Sequence, residues 1–371
     1  MIATFVLPKD PSHESTGDLT MAKLVMELAQ ESFQTKVICL STKPQSTTDG
    51  HIRVPKENPR TGRILAKSLR RGRSLVHTRF ALDGLVQAID ASDSDVYVAD
   101  HSYMAEAVLA SNQFQSHGDG TSNLAVSTVV PEALVWRATR GLVGRIDARR
   151  ITRDEVRVAR RAYTVGTYDL AEAQFYRSQG IPRSHWLDLT LPPKEKIPVD
   201  QSGRILVFVG DRRWAPNQEA FETLVRWWPQ ISEGITDARL FVVGAADPSA
   251  KPQQLPPGMQ DVGFVDDLDA LLSRCRALVA PIKTGGGVRV KILDTVCRGL
   301  PVVGTTAAVG SLGDVFGIDK IDEDRAFADR CRQYLLDRTS ATADGEALYA
   351  KNAARWQAGK PHAAVHDWLK P

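Results

Sequence analysis

Lys291 and Asp294 stand three residues apart, shortly after three consecutive glycines, Gly285, Gly286 and Gly287. On a helix that spacing puts the ammonium and the carboxylate on one face. A cation one turn into a helix can hold phosphate oxygens, and a carboxylate further along can accept hydrogen bonds from a ribose diol. A glycine-rich loop running into the helix adds free backbone N–H groups and the positive end of the helix dipole. With Val288 beside the glycines and Arg289 as a further cation, these residues describe half of a nucleotide-diphosphate-sugar site.

Such a site needs elements to hold it. An apolar run ends at Pro281, the glycine loop follows, and Val288 to Arg298 show helical spacing with Ile292, Thr295 and Val296 on one side. Gly299 falls where a helix C-terminus favours positive φ, and Pro301 to Gly304 return as a buried strand. The unit is strand, glycine loop, helix, strand.

The pattern P-x3-GGG-x-R-x-K-x-L-D-x4-G-x-P-V-V, from Pro281 to Val303, resembles the donor segment of family-four retaining glycosyltransferases of the GT-B fold (glycosyl transferases group 1). Many of these carry two glutamates eight positions apart, the first on the donor sugar and the second on the ribose. Here those positions hold Gly286 and Asp294, so the ribose role carries over and the first does not. A second stretch, FVGDRRWAPN from Phe208 to Asn217, resembles the family motif F-x-G-x3-W-x-P-N. The resemblance implies that the Gly210 backbone lets the donor phosphates approach and that Arg212 or Arg213 clamps them. It also implies that Gly263, Phe264 and Val265 border the nucleobase, although a strand followed by a capped helix accounts for the same letters.

Further back, Ile2–Leu7, a loop, a helix from about Leu19 and the run Val37–Leu40 form an opening βαβ unit. Its loop ends in Gly17 and Asp18. The resemblance would place these on the acceptor side, and a plain turn capped by Asp18 is the alternative. His101 follows the strand Val96–Asp100, at the strand tip where α/β sheets place ligands. The resemblance gives it a place facing the reacting centre, and a core or capping histidine is the alternative.

The implied architecture is α/β, a GT-B protein of two Rossmann-like doubly wound domains facing a central cleft. Residues 1–190 form the acceptor-side domain, 191–203 a linker, 204–355 the donor domain and 356–371 a helix crossing back, anchored by Trp356, Trp368 and Leu369. The implied reaction is retaining, metal-independent transfer of a hexose to an acceptor hydroxyl, with the nucleotide-diphosphate sugar as co-substrate and no other cofactor. His101, Lys291 and Arg289 are the catalytic candidates. A catalytically silent GT-B subunit supporting a partner enzyme, and a GT-B epimerase or hydrolase, remain the alternatives.

The chain of 371 residues is long enough for two such cores. A net charge of +3 gives no reason to expect nucleic acid as a partner. The basic residues are nonetheless clustered. Residues 53–79 hold nine Lys or Arg against Glu57 alone, and residues 137–161 hold nine Arg against three acids. Each segment reads as a surface for peripheral contact with an anionic membrane, as a solvated face, or as a site for an anionic or lipid-linked acceptor. Four scattered cysteines without metal-ligand spacing, and an N-terminus without a signal-peptide pattern, lead us to expect a cytoplasmic protein.

Overall fold

The computed structural model describes residues 1–14, 16–46, 49–57, 61–115, 122–246, 248 and 253–370. Near-continuous apolar runs become strands buried on both faces, as parallel sheets require. The chain divides into two compact units, Met1–Leu189 with Lys360–Pro371, and Thr190–Gly359.

The first unit contains β1 (Ile2–Leu7), β2 (Gln34–Ser41), β3 (Ile52–Pro55), β4 (Val96–Asp100), β5 (Leu124–Thr128), β6 (Thr164–Thr167) and β7 (Ser184–Trp186). They form one parallel sheet in the order β3-β2-β1-β4-β5-β6-β7. Val6, Ile38, Tyr97 and Val126 lie in its core. The strand order reverses between β1 and β4, which opens a crevice at their carboxyl ends.

The second unit contains β8 (Ile205–Val209), β9 (Arg239–Val243), β10 (Met259–Gly263), β11 (Ala277–Ala280) and β12 (Val302–Gly304). This sheet is also parallel, in the order β10-β9-β8-β11-β12, and reverses between β8 and β11.

Three expectations about organisation need correction. Residues 191–203 are not a free linker: Lys194 N–H donates to the Cys297 carbonyl at 3.0 Å and Ile197 N–H to that of Arg298 at 2.9 Å, which fixes the segment to the second unit. The returning helix is Lys360–Leu369, whereas Trp356 belongs to the preceding helix, Arg338–Gln357. In the first basic segment, Arg53 is not a surface cation. Its guanidinium is buried on Asp10, at 2.7 Å, and on Asp49. Arg60 lies outside the described residues.

The remaining basic residues ride mainly on the helices Thr61–Arg71, Glu132–Thr139 and Gly141–Ala159. All four cysteines are buried as free thiols. Among the described residues no helix is long and apolar enough to cross a membrane.

The returning helix is held by burial. Trp368 is fully buried in the first unit. A Cβ placed on Gly166 of β6 would stand 2.8 Å from the indole, so this glycine makes room for the ring. Tyr163 Oη donates to the Leu369 carbonyl at 2.8 Å. Removing a buried indole costs about 3–5 kcal/mol, so Trp368→Ala is expected to lower stability by that order. Chemical denaturation checks this, and a loss below about 1 kcal/mol would show that the helix is not part of this core.

Candidate active site

Within the second unit, the loops after β8, β9, β10 and β11 all leave the carboxyl edge of the sheet. Backbone bonds lace them together. Gly210 N–H donates to the Val243 carbonyl at 2.9 Å, Arg212 N–H to Ala245 at 2.9 Å, and Gly244 N–H to Gly263 at 2.8 Å. The Gly210 and Gly244 loops touch so closely that a Cβ on Gly244, which has φ of 123°, would lie 2.3 Å from the Gly210 carbonyl oxygen. Gly210 itself faces Asn217, and any side chain there would strike that amide.

The reversal between β8 and β11 brings the two recognised motifs together. The helix after β11 is Val290–Val296, shorter than the expected Val288–Arg298. From it Lys291 Nζ donates to Asn217 Oδ1 at 2.8 Å, in the first turn of the helix Ala215–Ser232 that follows β8. The Asn217 amide in turn donates to the Asp211 carbonyl at 2.8 Å. The ammonium lies 5.4 Å from the Phe208 ring centroid. Among the described residues no carboxylate pairs with it, and burial alone lowers its pKa to about 8. A half-buried cation held by neutral groups at a switch point makes this a candidate anion site.

The glycine loop stands beside it. Gly287 adopts φ of 70°, and its carbonyl accepts from Arg289 Nη1 at 2.7 Å. The Arg289 side chain lies over Gly310, where any Cβ would meet the guanidinium carbon at 2.2 Å. Gly285, Gly286 and Val288 are half-buried and leave the loop backbone accessible.

Asp294 shares the accessible face of the helix with Lys291 but is engaged. Its Oδ1 takes Lys194 at 3.0 Å and Arg298 at 2.5 Å. Arg298 also pairs with Asp269 at 2.5 Å. A ribose diol would therefore meet a carboxylate already fixed in orientation and largely neutralised.

The arginine clamp expected at residues 212 and 213 does not form. Arg212 is buried, stacks over Phe221 at 4.6 Å and donates to both oxygens of Asp261 at 2.7 Å, tying the β8 loop to β10. Arg213 is exposed and closes on Asp211, two residues back. Lys291 and Arg289 stand beside the glycine loop as the candidate phosphate cations.

At the edge strand, Gly263 has φ of 72°, and Phe264 projects with 79 % of its surface exposed, next to half-buried Val265. β10 is two strands from β8, roughly 10 Å at sheet spacing. A planar apolar face at that separation suits a base whose phosphates lie near Gly210.

In the first unit, His101 sits at the tip of β4 with φ of 73° and is buried. A non-glycine residue in that region is held there by its surroundings, and such residues cluster at functional sites. Its ring stacks on Tyr103 at 5.0 Å, and Nδ1 lies 3.4 Å from Asp100. Burial pushes the imidazolium down, but Asp100, Glu132 and Asp18 outweigh it and leave the pKa above the ordinary value. Asp18 lies in the first turn of the helix Gly17–Ala29, with Thr16 and not Asp18 as the cap, and pairs with Lys9 at 2.7 Å.

Residues not singled out in the sequence complete both clusters. Asn217 closes the known motif and could have been found from it. Glu132 opens the helix after β5, its pKa raised by burial. Its backbone N–H donates to Glu155, whose carboxyl burial raises to about 8. Only the position of Glu132 after a strand tip hinted at this. Lys194 carried no sequence signal at all.

Residues 203–337 match the family glycosyl transferases group 1. No curated protein matches the chain. Among solved structures, sucrose-phosphate synthase from Thermosynechococcus elongatus is 16 % identical, with a TM-score of 0.69 over 97 % of this chain and 96 % of that one. WaaG, a glycosyltransferase of lipopolysaccharide biosynthesis, is 12 % identical, with a TM-score of 0.69 over the whole of both chains. Anabaena HepE in complex with UDP is 13 % identical, with a TM-score of 0.65 over 100 % of this chain and 99 % of that one. The fold is GT-B, and the segment that matches glycosyl transferases group 1 lies within the second unit.

The Arg212–Asp261 pair yields a test of this layout. A charge-assisted hydrogen bond of this kind, buried at Arg212 and partly exposed at Asp261, contributes about 1.5–3 kcal/mol. Arg212→Ala should therefore destabilise the second unit by that order. A variant that melts like the parent while losing nucleotide affinity would instead return Arg212 to the phosphate clamp.

Proposed function

We propose that this glycosyltransferase of the GT-B fold, whose residues 203–337 match glycosyl transferases group 1, is a retaining, metal-independent hexosyltransferase. The donor is a nucleotide-diphosphate sugar, and the acceptor is a hydroxyl. The observation that carries this reading is Lys291, a cation at the β8/β11 switch point that has no carboxylate partner among the described residues.

In this reading the diphosphate lies between the Gly210 loop and the Gly285–Val288 loop. Lys291 and Arg289 take up the charge that develops on the leaving phosphate, and backbone N–H groups add to it. Phe264 takes the base, and Asp294 meets the ribose through Oδ2, its other oxygen being occupied. UDP is the nucleotide to test first, because Anabaena HepE binds it. The first unit serves the acceptor, with His101 positioned by Asp100 to share the acceptor proton.

Peripheral membrane contact belongs to the same proposal. The helix Thr61–Arg71 exposes Leu65 and Leu69 among Arg63, Lys67 and Arg70, and the helix Gly141–Ala159 exposes Leu142, Val143 and Ile146 beside Arg145. Apolar side chains ringed by cations fit an anionic lipid surface and a lipid-linked acceptor.

Calorimetric titration with UDP tests the donor site. A charge-assisted hydrogen bond to phosphate contributes about 1.5–3 kcal/mol, so Lys291→Ala should weaken binding by roughly ten- to a hundredfold. His101→Ala should keep UDP affinity and lose transfer. If none of the common nucleoside diphosphates binds the parent protein, the silent-subunit reading replaces this one.

The lowered pKa of Lys291 adds a pH test. The diphosphate requires the charged ammonium, which the free protein loses as pH rises through about 8. Binding at pH 9.5 should therefore draw up a proton, and affinity should fall by up to about tenfold per pH unit above 8. Titrations in two buffers of different ionisation enthalpy read the uptake. Equal heats in both at pH 9.5 would remove Lys291 from the phosphate contact.

A further inference from the structure

The first unit holds a second cluster of cations that the transfer reaction does not use. Arg149, Arg153 and Arg157 follow one another at four-residue spacing on the helix Gly141–Ala159, and Arg160 is its C-cap. Together with Arg73 they line a cavity of about 580 Å³. Like charges at this spacing repel along a helix. Five guanidinium groups around one cavity therefore need counter-charge.

The protein supplies only part of it. Asp154, almost wholly buried, takes Arg73 at 3.4 Å and Arg157 at 3.2 Å through Oδ1, while its Oδ2 accepts from the Ser74 N–H at 2.6 Å. Arg157 also reaches Glu106. Arg153 and Arg160 donate to the carbonyls of Gly72 and Gln179, which orient them without neutralising them. Arg149 is exposed and has no hydrogen bond or ion pair among the described residues. Two carboxylates thus face five guanidinium groups, and Arg149, Arg153 and Arg160 remain uncompensated.

We propose that this cavity is a phosphate-binding site that takes a phosphomonoester or diphosphate group. Planar guanidinium forks match phosphate oxygens in pairs. The backbone carbonyls that hold Arg153 and Arg160 reduce the ordering cost of binding, and the residual charge matches a di- or trianion. The site shares no residue with the donor loops and does not depend on the assignment of Lys291. Its ligand is either soluble or the headgroup of a lipid, because Leu142 and Ile146 lie on the same stripe of the helix as Arg149 and Arg153, at i, i+4, i+7 and i+11.

The test uses the full chain carrying Lys291→Ala, so that the donor loops do not report. Calorimetric titration with pyrophosphate at low salt should show saturable binding to one site, weakening as salt rises. R149Q/R153Q, two changes on exposed side chains, should weaken that binding at least tenfold. Absence of saturable binding, or the same affinity in R149Q/R153Q, would overturn the proposal.

Flotation with phosphatidylcholine vesicles, with and without phosphatidic acid, then identifies the source. Recruitment by phosphatidic acid that disappears in R149Q/R153Q supports the site with a lipid ligand. Saturable pyrophosphate binding without recruitment supports it with a soluble one. Recruitment that survives R149Q/R153Q but is lost in L142D/I146D, with no saturable pyrophosphate binding, leaves an apolar membrane face and overturns the phosphate site.

Discussion

A lysine ammonium taken out of water without a counter-ion is costly, and the second unit is arranged around that cost. Lys291 has Asn217 for one hydrogen bond and the Phe208 ring nearby, both neutral. Neutral partners leave the positive potential intact, whereas a carboxylate would cancel it. Nearby cations are disposed of differently. Arg212, Arg213 and Arg298 each carry an acidic partner inside the unit. The difference in pairing, more than the number of cations, is what singles out Lys291 as the candidate anion-binding group.

This arrangement follows from the sheet. Parallel strands send every β-to-α loop to one edge, and where strand order reverses, neighbouring loops turn to opposite faces and leave a gap. Both units place their distinctive residues there: Asn217 and Lys291 across β8 and β11, Asp18 and His101 across β1 and β4. Close backbone approach completes the edge of the second unit. A side chain on Gly244 would strike the Gly210 carbonyl and push the loops apart, and one on Gly210 would strike the Asn217 amide.

Motifs that depend on local spacing were legible in the sequence. Strand, glycine loop and helix around Lys291 could be read directly, as could the apolar strands buried on both faces. What depends on tertiary partners was not. Arg212 looked like a phosphate ligand from its place in the FVGDRRWAPN motif, but Asp261, forty-nine residues on, draws it inward. Arg53 counted toward a basic surface until the short strand β3, too brief to announce itself by periodicity, carried it onto Asp10 and Asp49. Asp294 offered a carboxylate at the right spacing, and nothing in its neighbourhood foretold that Lys194, a hundred residues earlier, would sit on it.

His101 shows the same limit from the other side. Its position at a strand tip was visible, but its backbone conformation, with φ of 73°, was not. A positive φ at a bulky residue costs on the order of 1–3 kcal/mol and persists only where the surroundings impose it. Here they do: its N–H donates to the Ser127 carbonyl of β5 at 2.8 Å, its ring is sandwiched toward Tyr103, and Asp100 stands beside Nδ1. The acids around it, Asp18, Glu132 and Asp100, favour the imidazolium, while burial opposes it. The strained backbone fixes where the ring stands and the carboxylates raise its affinity for a proton, the two properties on which its proposed role in transfer would draw.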